Sequence, residues 1–598
     1  MTTTGAETPD ATDPWATWIE SATAGLLASA AGAGVPLTAD LLRDHLDVEG
    51  SPEGDISLPL HRFAAGTGLP ADELARRLAE RFPPTPGLSR PVAKGAYVNF
   101  SVDSAALVDA TLSLVLARGN AYGHGPPQRV PACVEHTSAN PTGPFHVGRV
   151  RNAIIGDTLA RILRASGVPV TTQYYVDDMG RQAAMVTWIW SKPRDSWPEP
   201  IRAAVEGKES PGDKPDLHWG RPYPATSAYL KEHADAAAEV AEVVRQIESG
   251  TPPAQHRTIA EEILKGMLAS LARLSIGFDE FVWESDLLKD GSVGRALERM
   301  RRAPLAVQEE NGAWAIDASG FSLPKESTRV VFQRGDGTSL YVARDVAYHL
   351  SKFGRFARAI DVLGQDHQLH ARTLDALLAA IGEEQRPTFV IYQDITVPEG
   401  GRMSTRGGSA VWLDQLLEEA VERARGEVLS RRPDLSAEEA NHVAEAVATG
   451  AVRYHIARVA PDKSVRFRWE DALSFEGRSG PFVQYSHARA SSVLRKGEAE
   501  KPPYPFEATH LANPEELALV RVISRFPRTV AYSARTAHVH TVAGYAHDLA
   551  DQFNRFYHAV PVLRSGAERT SRIALVAATR QTLRNALDLL GVAPLETM

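Results

Sequence analysis

Apolar and polar positions alternate along this chain in three distinct regimes. From Pro14 to about Gly125 helical and extended periods mix: the spacing predicts a helix over Ala71 to Phe82 and a strand over Ala96 to Val102. A proline-rich stretch, Pro126-Pro127 through Pro131, then reads as a linker. Beyond it a short strand runs into a glycine- and proline-rich turn, a long helix over about Val150 to Ser166, and another apolar run at Val168 to Val176. Strand–helix–strand order predicts a parallel α/β sheet. Between about Trp190 and Arg257 the pattern turns polar, with clusters such as Lys208-Glu209-Ser210-Pro211-Gly212, as expected of a surface insertion. Strand signals return at Ala359 to Leu363 and Thr388 to Ile395, and from about Leu413 the period is helical to the end. No internal repeat interrupts this order.

The expected organisation is a disordered tail over 1–12, an α+β domain over 13–125, a Rossmann-like α/β domain over 126–412 with an insertion at about 190–300, and an all-α domain over 413–598. A chain of 598 residues is too long for one core, which agrees with several domains. Its composition, 43% hydrophobic and 23% charged, is that of an ordinary globular protein. The net charge of −9 excludes a global positive field, so any nucleic-acid binding must rest on local basic faces. One cysteine, Cys133, excludes an intrachain disulfide and a cysteine-rich zinc site. The acidic start lacks a basic, then apolar, leader, and no run approaches the ~18 apolar residues of a membrane span. A cytoplasmic protein without membrane contact is expected.

The stretch Cys133-Val134-Glu135-His136-Thr137-Ser138-Ala139-Asn140-Pro141-Thr142-Gly143-Pro144-Phe145-His146-Val147-Gly148-Arg149 carries the densest chemistry. Gly143 and Pro144 force a turn, and Gly148 bares backbone where a ligand could approach. The following helix would aim unpaired N–H groups and its positive dipole end at this turn, which suits a phosphate. His146, Arg149 and Arg151 would add donors and charge. Some 250 residues later, Glu399-Gly400-Gly401-Arg402-Met403-Ser404-Thr405-Arg406-Gly407-Gly408 combines mobile glycines with two arginines and the Ser404 hydroxyl. Alone, such a basic loop is a weak sign of a triphosphate site.

Together these stretches resemble class I aminoacyl-tRNA synthetases in their arginine version, in the archaeal-type subgroup. Glu135, Ser138, Asn140 and Pro141 match the lead into the His-x-Gly-His signature, and Arg151 to Arg161 continue the match. The second histidine is replaced by Arg149. Losing one well-placed transition-state donor typically costs ~10²–10³ in rate. The later loop stands where the Lys-Met-Ser-Lys loop belongs, with Arg402 and Gly407 in place of its lysines. The resemblance implies ATP as cosubstrate with Mg²⁺, and phosphate neutralisation by His146, Arg149, Arg402 and Arg406. It further implies nucleotide contacts from Pro144, Gly148, Met403 and Ser404.

A guanidinium is read by carboxylates in bidentate fashion, often with an aromatic face. Tyr341 and Asp345, four apart, share one face of a helix that follows the Asp336-Gly337-Thr338 turn. By resemblance these two line the guanidinium pocket, Glu135 is a second acid, and Ser138 and Asn140 face the α-amino end. His367, in Leu363-Gly364-Gln365-Asp366-His367-Gln368-Leu369-His370, lies near the substrate, and Tyr175 to Gln182 resembles the archaeal-type version. Gly54 to Leu60 and Gly95 to Phe100 resemble the family's N-terminal domain, which touches the tRNA elbow. In Phe482 to Arg489 and Phe553 to Tyr557 aromatics accompany arginines, a combination that stacks bases and meets phosphate. They resemble the family's helical anticodon-binding domain, which implies tRNA contacts from Gln484, Tyr485, Arg489, Tyr557 and the chain end at Met598. The function implied is an arginine–tRNA ligase, a monomer that makes arginyl-adenylate and passes arginine to the 3′ end of tRNA(Arg). The altered signatures motivate two rivals: a paralogue serving a biosynthetic pathway, and a catalytically silent tRNA-binding protein.

Overall fold

The computed structural model describes residues 12–598 except 34, 49–52, 66, 211, 325–326, 397–410 and 565. At its centre lies a parallel sheet of five strands: β1 (Ala132–Glu135), β2 (Val170–Val176), β3 (Glu280–Trp283), β4 (Arg358–Gly364) and β5 (Thr388–Tyr392). The order across the sheet is β5-β4-β1-β2-β3. Every residue of β1 is buried, as a central parallel strand covered on both faces requires. Succession runs from β1 one way to β3 and the other way to β5, so the strand order switches between β1 and β4. Open α/β sheets bind ligands at such a switch, outside the carboxyl ends of the strands.

The helices follow the same logic. Helix α1 (Val147–Ala165) connects β1 to β2, and α2 (Arg181–Trp190) and α3 (His256–Arg273) follow β2. Helix α4 (Tyr341–Phe353) precedes β4, and α5 (Gln368–Ala380) joins β4 to β5. Most of α1 is buried, polar residues included, because the helical part of the chain packs on the face turned away from the sheet.

The insertion expected over about 190–300 needs correction. Helices at Glu199–Val205, Pro215–Gly220, Tyr223–Glu232 and Ala234–Glu248 do form an excursion with its own core of Trp188, Trp197, Ile201, Leu230, Val240 and Ile247. The chain then returns through α3 to β3, which is the edge strand of the main sheet. An edge strand has an open side; Phe281 is exposed and its neighbours half-buried, so no continuous apolar run betrayed it. A second excursion follows, with antiparallel strands at Ala306–Gln308, Trp314–Asp317 and Arg329–Gln333.

The N-terminal part combines helices Ala16–Ala33 and Ala71–Arg81 with a three-stranded antiparallel sheet. The C-terminal part is helical: α6 (Leu413–Arg431), α7 (Ala437–Ala457), α8 (Gly480–Lys496), α9 (His540–Ala559) and α10 (Arg569–Leu589), with shorter helices between α8 and α9. Ser436 and Glu439 close a capping box at the start of α7. Two fully buried arginines tie this bundle to the sheet domain. Arg151 of α1 donates to the carbonyls of Gln393, Ala460 and Lys463 at 2.6–2.9 Å. Arg453 of α7 donates to Asp157 of α1 at 2.5 Å, to the Leu274 carbonyl beyond α3 at 2.5 Å, and to the Leu590 carbonyl beyond α10 at 2.7 Å. No helix among the described residues is long and apolar enough to cross a membrane.

Candidate active site and nucleic-acid cleft

Past Glu135 the backbone enters the left-handed region at two consecutive non-glycine residues, Thr137 (φ 73°) and Ser138 (φ 37°). Such a conformation is unfavourable for a β-branched residue and persists only where its surroundings impose it. Here Asn152 of α1 imposes it: its Oδ1 accepts from the Thr137 N–H at 2.8 Å and its Nδ2 donates to the Val362 carbonyl at 2.8 Å. The reversal folds Ser138 back on the strand ends. Its hydroxyl donates to Glu135 Oε1 at 3.0 Å and accepts from the Tyr175 N–H at 3.1 Å. Asn140 donates to Asp177 Oδ2 at 3.2 Å.

The turn ends at His146, the N-cap of α1, whose Nδ1 accepts from the Gly148 N–H at 2.9 Å. The imidazole stands edge-on to Trp412, its pKa below the ordinary value through desolvation and the Arg149 charge. The Arg149 charge acts on the Tyr392 hydroxyl at the end of β5 and on His367. Pro144 is half-buried, and Gly148 leaves backbone bare at the helix start. A negative group over this turn would meet the open end of α1, one imidazole and one guanidinium. Val147 N–H donates to the Val411 carbonyl at 3.0 Å and Leu413 N–H to the Phe145 carbonyl at 2.8 Å. The chain leaving the second basic loop is thus stitched to the first signature. Arg402, Met403, Ser404 and Arg406 themselves lie outside the described residues.

Sheet register sets the acid pocket. Asp361 on β4 and Gln173 on β2 flank Glu135 on β1. Lys352 of α4, fully buried, bridges Glu135 Oε2 at 2.5 Å and Asp361 Oδ1 at 2.7 Å, its ammonium 4.0 Å from the centre of the Tyr348 ring. His349 Nε2 lies 2.7 Å from Asp361 Oδ2, and its Nδ1 lies 3.1 Å from Asp345 Oδ1. His370 of α5 holds Asp345 Oδ2 at 2.5 Å, and Tyr341 tilts over the His370 ring at 5.5 Å. One chain of charges therefore runs from Ser138 and Glu135 through Lys352, Asp361 and His349 to Asp345, His370 and Tyr341.

The electrostatics follow from that chain. Burial opposes ionisation of Asp361, but Lys352 and His349 pull its carboxyl down to about 2. Burial likewise acts against Asp345, and the imidazoles of His349 and His370 overcome it, holding the carboxyl far below the usual range. Burial and Lys352 oppose protonation of His349, yet Asp361 and Asp345 push it up to about 10. Glu135 and Asp345, expected as two acids meeting on one cation, are instead separate links: both Glu135 oxygens are already engaged by Lys352 and Ser138.

A carboxylate that sequence reasoning passed over acts on the same tyrosine, Tyr175, as Asp345 does. Glu284, directly after β3, is buried and pushed up to about 8 by desolvation and by Asp177, against the pull of Arg344, its ion-pair partner. Tyr175 lies within the field of Glu284, Asp345 and Asp177 together and stacks on Tyr348 at 4.7 Å. Glu284 was hidden because its strand read as insertion. Lys352 and His349 lay on the same helix face as Tyr341 and Asp345, successive spacings of four, four and three that could have found them. His370 was within a quoted stretch from which only His367 was taken; His367 is half-exposed beside Asp366 at 3.5 Å.

In the helical part, a cleft of about 560 Å³ is lined by Tyr485, Arg489, Lys496, Tyr557, Arg564 and Met598, among others. The Arg489 guanidinium lies between the Tyr485 ring at 4.7 Å and the Tyr557 ring at 5.1 Å. Gln484 is a correction. It is fully buried, and its amide donates to the Ala446 carbonyl at 3.1 Å and the Ala593 carbonyl at 2.9 Å, so it faces the bundle core and offers nothing to an RNA.

Comparison with known proteins gives a consistent set of likenesses. Residues 111–460 match the model of the catalytic domain of class I (R) tRNA synthetases, and residues 483–598 match the DALR anticodon binding domain. The arginine–tRNA ligase of Methanocella arvoryzae is 41% identical over 92% of this chain and 94% of its own length. That of Methanothermobacter thermautotrophicus is 43% identical over 84% of this chain and 86% of its own length. The arginyl-tRNA synthetase structure from Thermus thermophilus superposes with a TM-score of 0.82 at 29% identity, covering 97% of this chain and 99% of that one.

Proposed function

The chain belongs to the arginine–tRNA ligases of the class I aminoacyl-tRNA synthetases, and from that premise we propose how its residues divide the work. ATP lies over the turn at the start of α1, its phosphates met by the helix end, His146 and Arg149, with Pro144 and Gly148 against the nucleotide. Arg402, Met403, Ser404 and Arg406, outside the described residues, are assigned to the same phosphates by the sequence alone. Arginine lies across the β1–β4 switch point. Its α-amino group faces Ser138, Asn140 and Asp177, and its guanidinium lies over Asp345 and Tyr341 with Glu284 beside it. Glu135 acts through Ser138 and Lys352, as a positioning residue. His367 stands at the rim between nucleotide and amino acid.

In this arrangement an oxygen of the arginine carboxylate attacks the α-phosphorus, the bond to pyrophosphate breaks, and arginyl-adenylate forms. A hydroxyl of the 3′-terminal ribose then attacks the arginyl carbonyl, and AMP leaves. The protein forms no covalent bond; it aligns reactants and stabilises charge growing on phosphate oxygens. Among the described residues no His, Cys, Asp or Glu trio is placed to hold a metal ion. Mg²⁺ would enter with ATP, carried on its phosphates. Tyr485, Arg489, Tyr557 and Met598 form the anticodon face, its two tyrosines offering rings to unpaired bases.

The observation that carries this reading is Asp345: a carboxylate kept ionised by two imidazoles, one of which, His370, lies against the exposed ring of Tyr341. Asp345→Asn should raise KM for arginine on the order of 100-fold, since one lost charge-assisted hydrogen bond exposes a second unmet partner. KM for ATP should stay within a few-fold. An unchanged KM for arginine in the aminoacylation assay would sink the assignment.

A further inference from the structure

Neither oxygen of Asp345 is idle. His349 Nδ1 bonds the Asp345 backbone carbonyl at 2.9 Å and lies 3.1 Å from Oδ1, and His370 Nε2 sits 2.5 Å from Oδ2. A guanidinium bound in fork geometry needs both oxygens. One imidazole must therefore yield, and the two are not alike. His349 is buried, held from the far side by Asp361 at 2.7 Å, and stays charged through the neutral range. His370 comes from a different helix, its side chain is 28% exposed, and only the outer tyrosine, Tyr341, lies over it.

We propose that His370 is a specificity residue: as an imidazolium it occupies the Asp345 oxygen reserved for the substrate guanidinium, and it gives that oxygen up by releasing its proton to water. The inference rests on the assignment of Asp345 to the guanidinium. Charge bookkeeping within the network supports the exchange. Within the ion-pair chain Glu135, Asp361 and Asp345 face Lys352, His349 and His370, three carboxylates to three cations, while Glu284 is paired separately with Arg344. An arriving guanidinium adds a fourth cation, and loss of the His370 proton restores the balance. A neutral ureido analogue brings no charge to make the exchange even, so the imidazolium stays and blocks the fork.

The groups around His370 set the direction. Asp345, His349 and Tyr341 face it from α4, and Glu135 from β1; on its own side stand Asp366 and His367, the latter within the field of Arg149. Burial disfavours its cation, but the Asp345 bond and charge outweigh this and lift His370 above the ordinary imidazole value. A group that must lose a proton on binding makes affinity rise with pH, by about tenfold per unit below its free-state pKa and not at all above it.

The test is the pH profile of aminoacylation between about pH 6 and about pH 8, at saturating ATP and tRNA. In the unmodified enzyme KM for arginine should fall as pH rises, and KM for ATP should stay flat. His370→Gln, which keeps a neutral donor, should give a KM for arginine without slope. A slope retained in that variant, or absent from the unmodified enzyme, overturns the proposal. Asp345→Asn separates the two readings. If it leaves KM for arginine unchanged, the pocket assignment itself falls; if it raises KM while His370→Gln keeps the slope, only the role of His370 falls. Should the glutamine variant not fold, calorimetry of arginine binding to the tRNA-bound unmodified enzyme, in buffers of differing ionisation heat, reads proton release directly. A fraction of a proton released near neutral pH by the unmodified enzyme and lost in His370→Asn supports the exchange; release kept in that variant, or none in the unmodified enzyme, overturns it.

Discussion

Lys352 shows at the scale of one residue how this site is held. Its ammonium has no exposure and stands between Glu135 and Asp361. Taking one charge from a buried cluster leaves the others uncompensated, which typically costs about 3–5 kcal/mol. Lys352→Met should therefore lower the unfolding free energy at neutral pH by an amount of that order. The sign with pH is also fixed. Without the cation the two folded carboxylates are raised above their unfolded values, so the deficit shrinks as pH falls and grows as pH rises through neutrality. A deficit independent of pH, in denaturant titrations at acid and neutral pH, would show that Lys352 acts through packing alone. Residue-scale legibility was uneven for a related reason. Glu135, Ser138, Asn140, Tyr341 and Asp345 were named from a pattern of types, but the cation that neutralises Glu135 comes from a helix 217 positions away in sequence. Pairing at that separation is invisible until the sheet register is known.

Among elements, the first excursion packs tightly on the nucleotide turn. Helix Pro215–Gly220 crosses the turn so closely that a Cβ on Gly220 would lie 2.2 Å from the Gly143 Cα and 2.9 Å from the Thr142 carbonyl oxygen. Backbone cannot yield as a flexible side chain can. Gly220→Ala should push helix and turn apart, and misplacement near 1 Å can cost on the order of 10² in rate. A loss of at least about tenfold in ATP–pyrophosphate exchange is expected, with Gly212→Ala, which meets nothing within 4 Å, as the neutral comparison. Equal activity of the two variants would mean that the excursion does not position the turn. The expected helices over Ala71 to Phe82 and Val150 to Ser166 match Ala71–Arg81 and Val147–Ala165, since capping and apolar period are local properties. Strand β3 was missed because an edge strand is paired on one side only and needs no continuous apolar run.

For the whole molecule, Arg453 joins three parts by one guanidinium: Asp157 in the sheet domain, the carbonyl ending α3, and the carbonyl ending the last helix. Arg453→Met keeps the volume and removes all three bonds. It should lower overall stability by several kcal/mol, as loss of a buried charged partner does. It should also split thermal unfolding into separate transitions for the sheet domain and the bundle; a single, merely shifted calorimetric peak would show that other contacts carry the coupling. The order of domains could be read from composition and period, whereas this junction could not, because its acceptors are backbone carbonyls that leave no mark in residue types. Gly591 sits against the same guanidinium, with φ at +65° and a would-be Cβ 2.2 Å from the Arg453 Cζ. The two positions therefore constrain each other's history. A side chain at Gly591 would have to meet both that guanidinium and a left-handed backbone, so shortening the arginine would clear the space and leave the strain, and a paired substitution would release the glycine only in part.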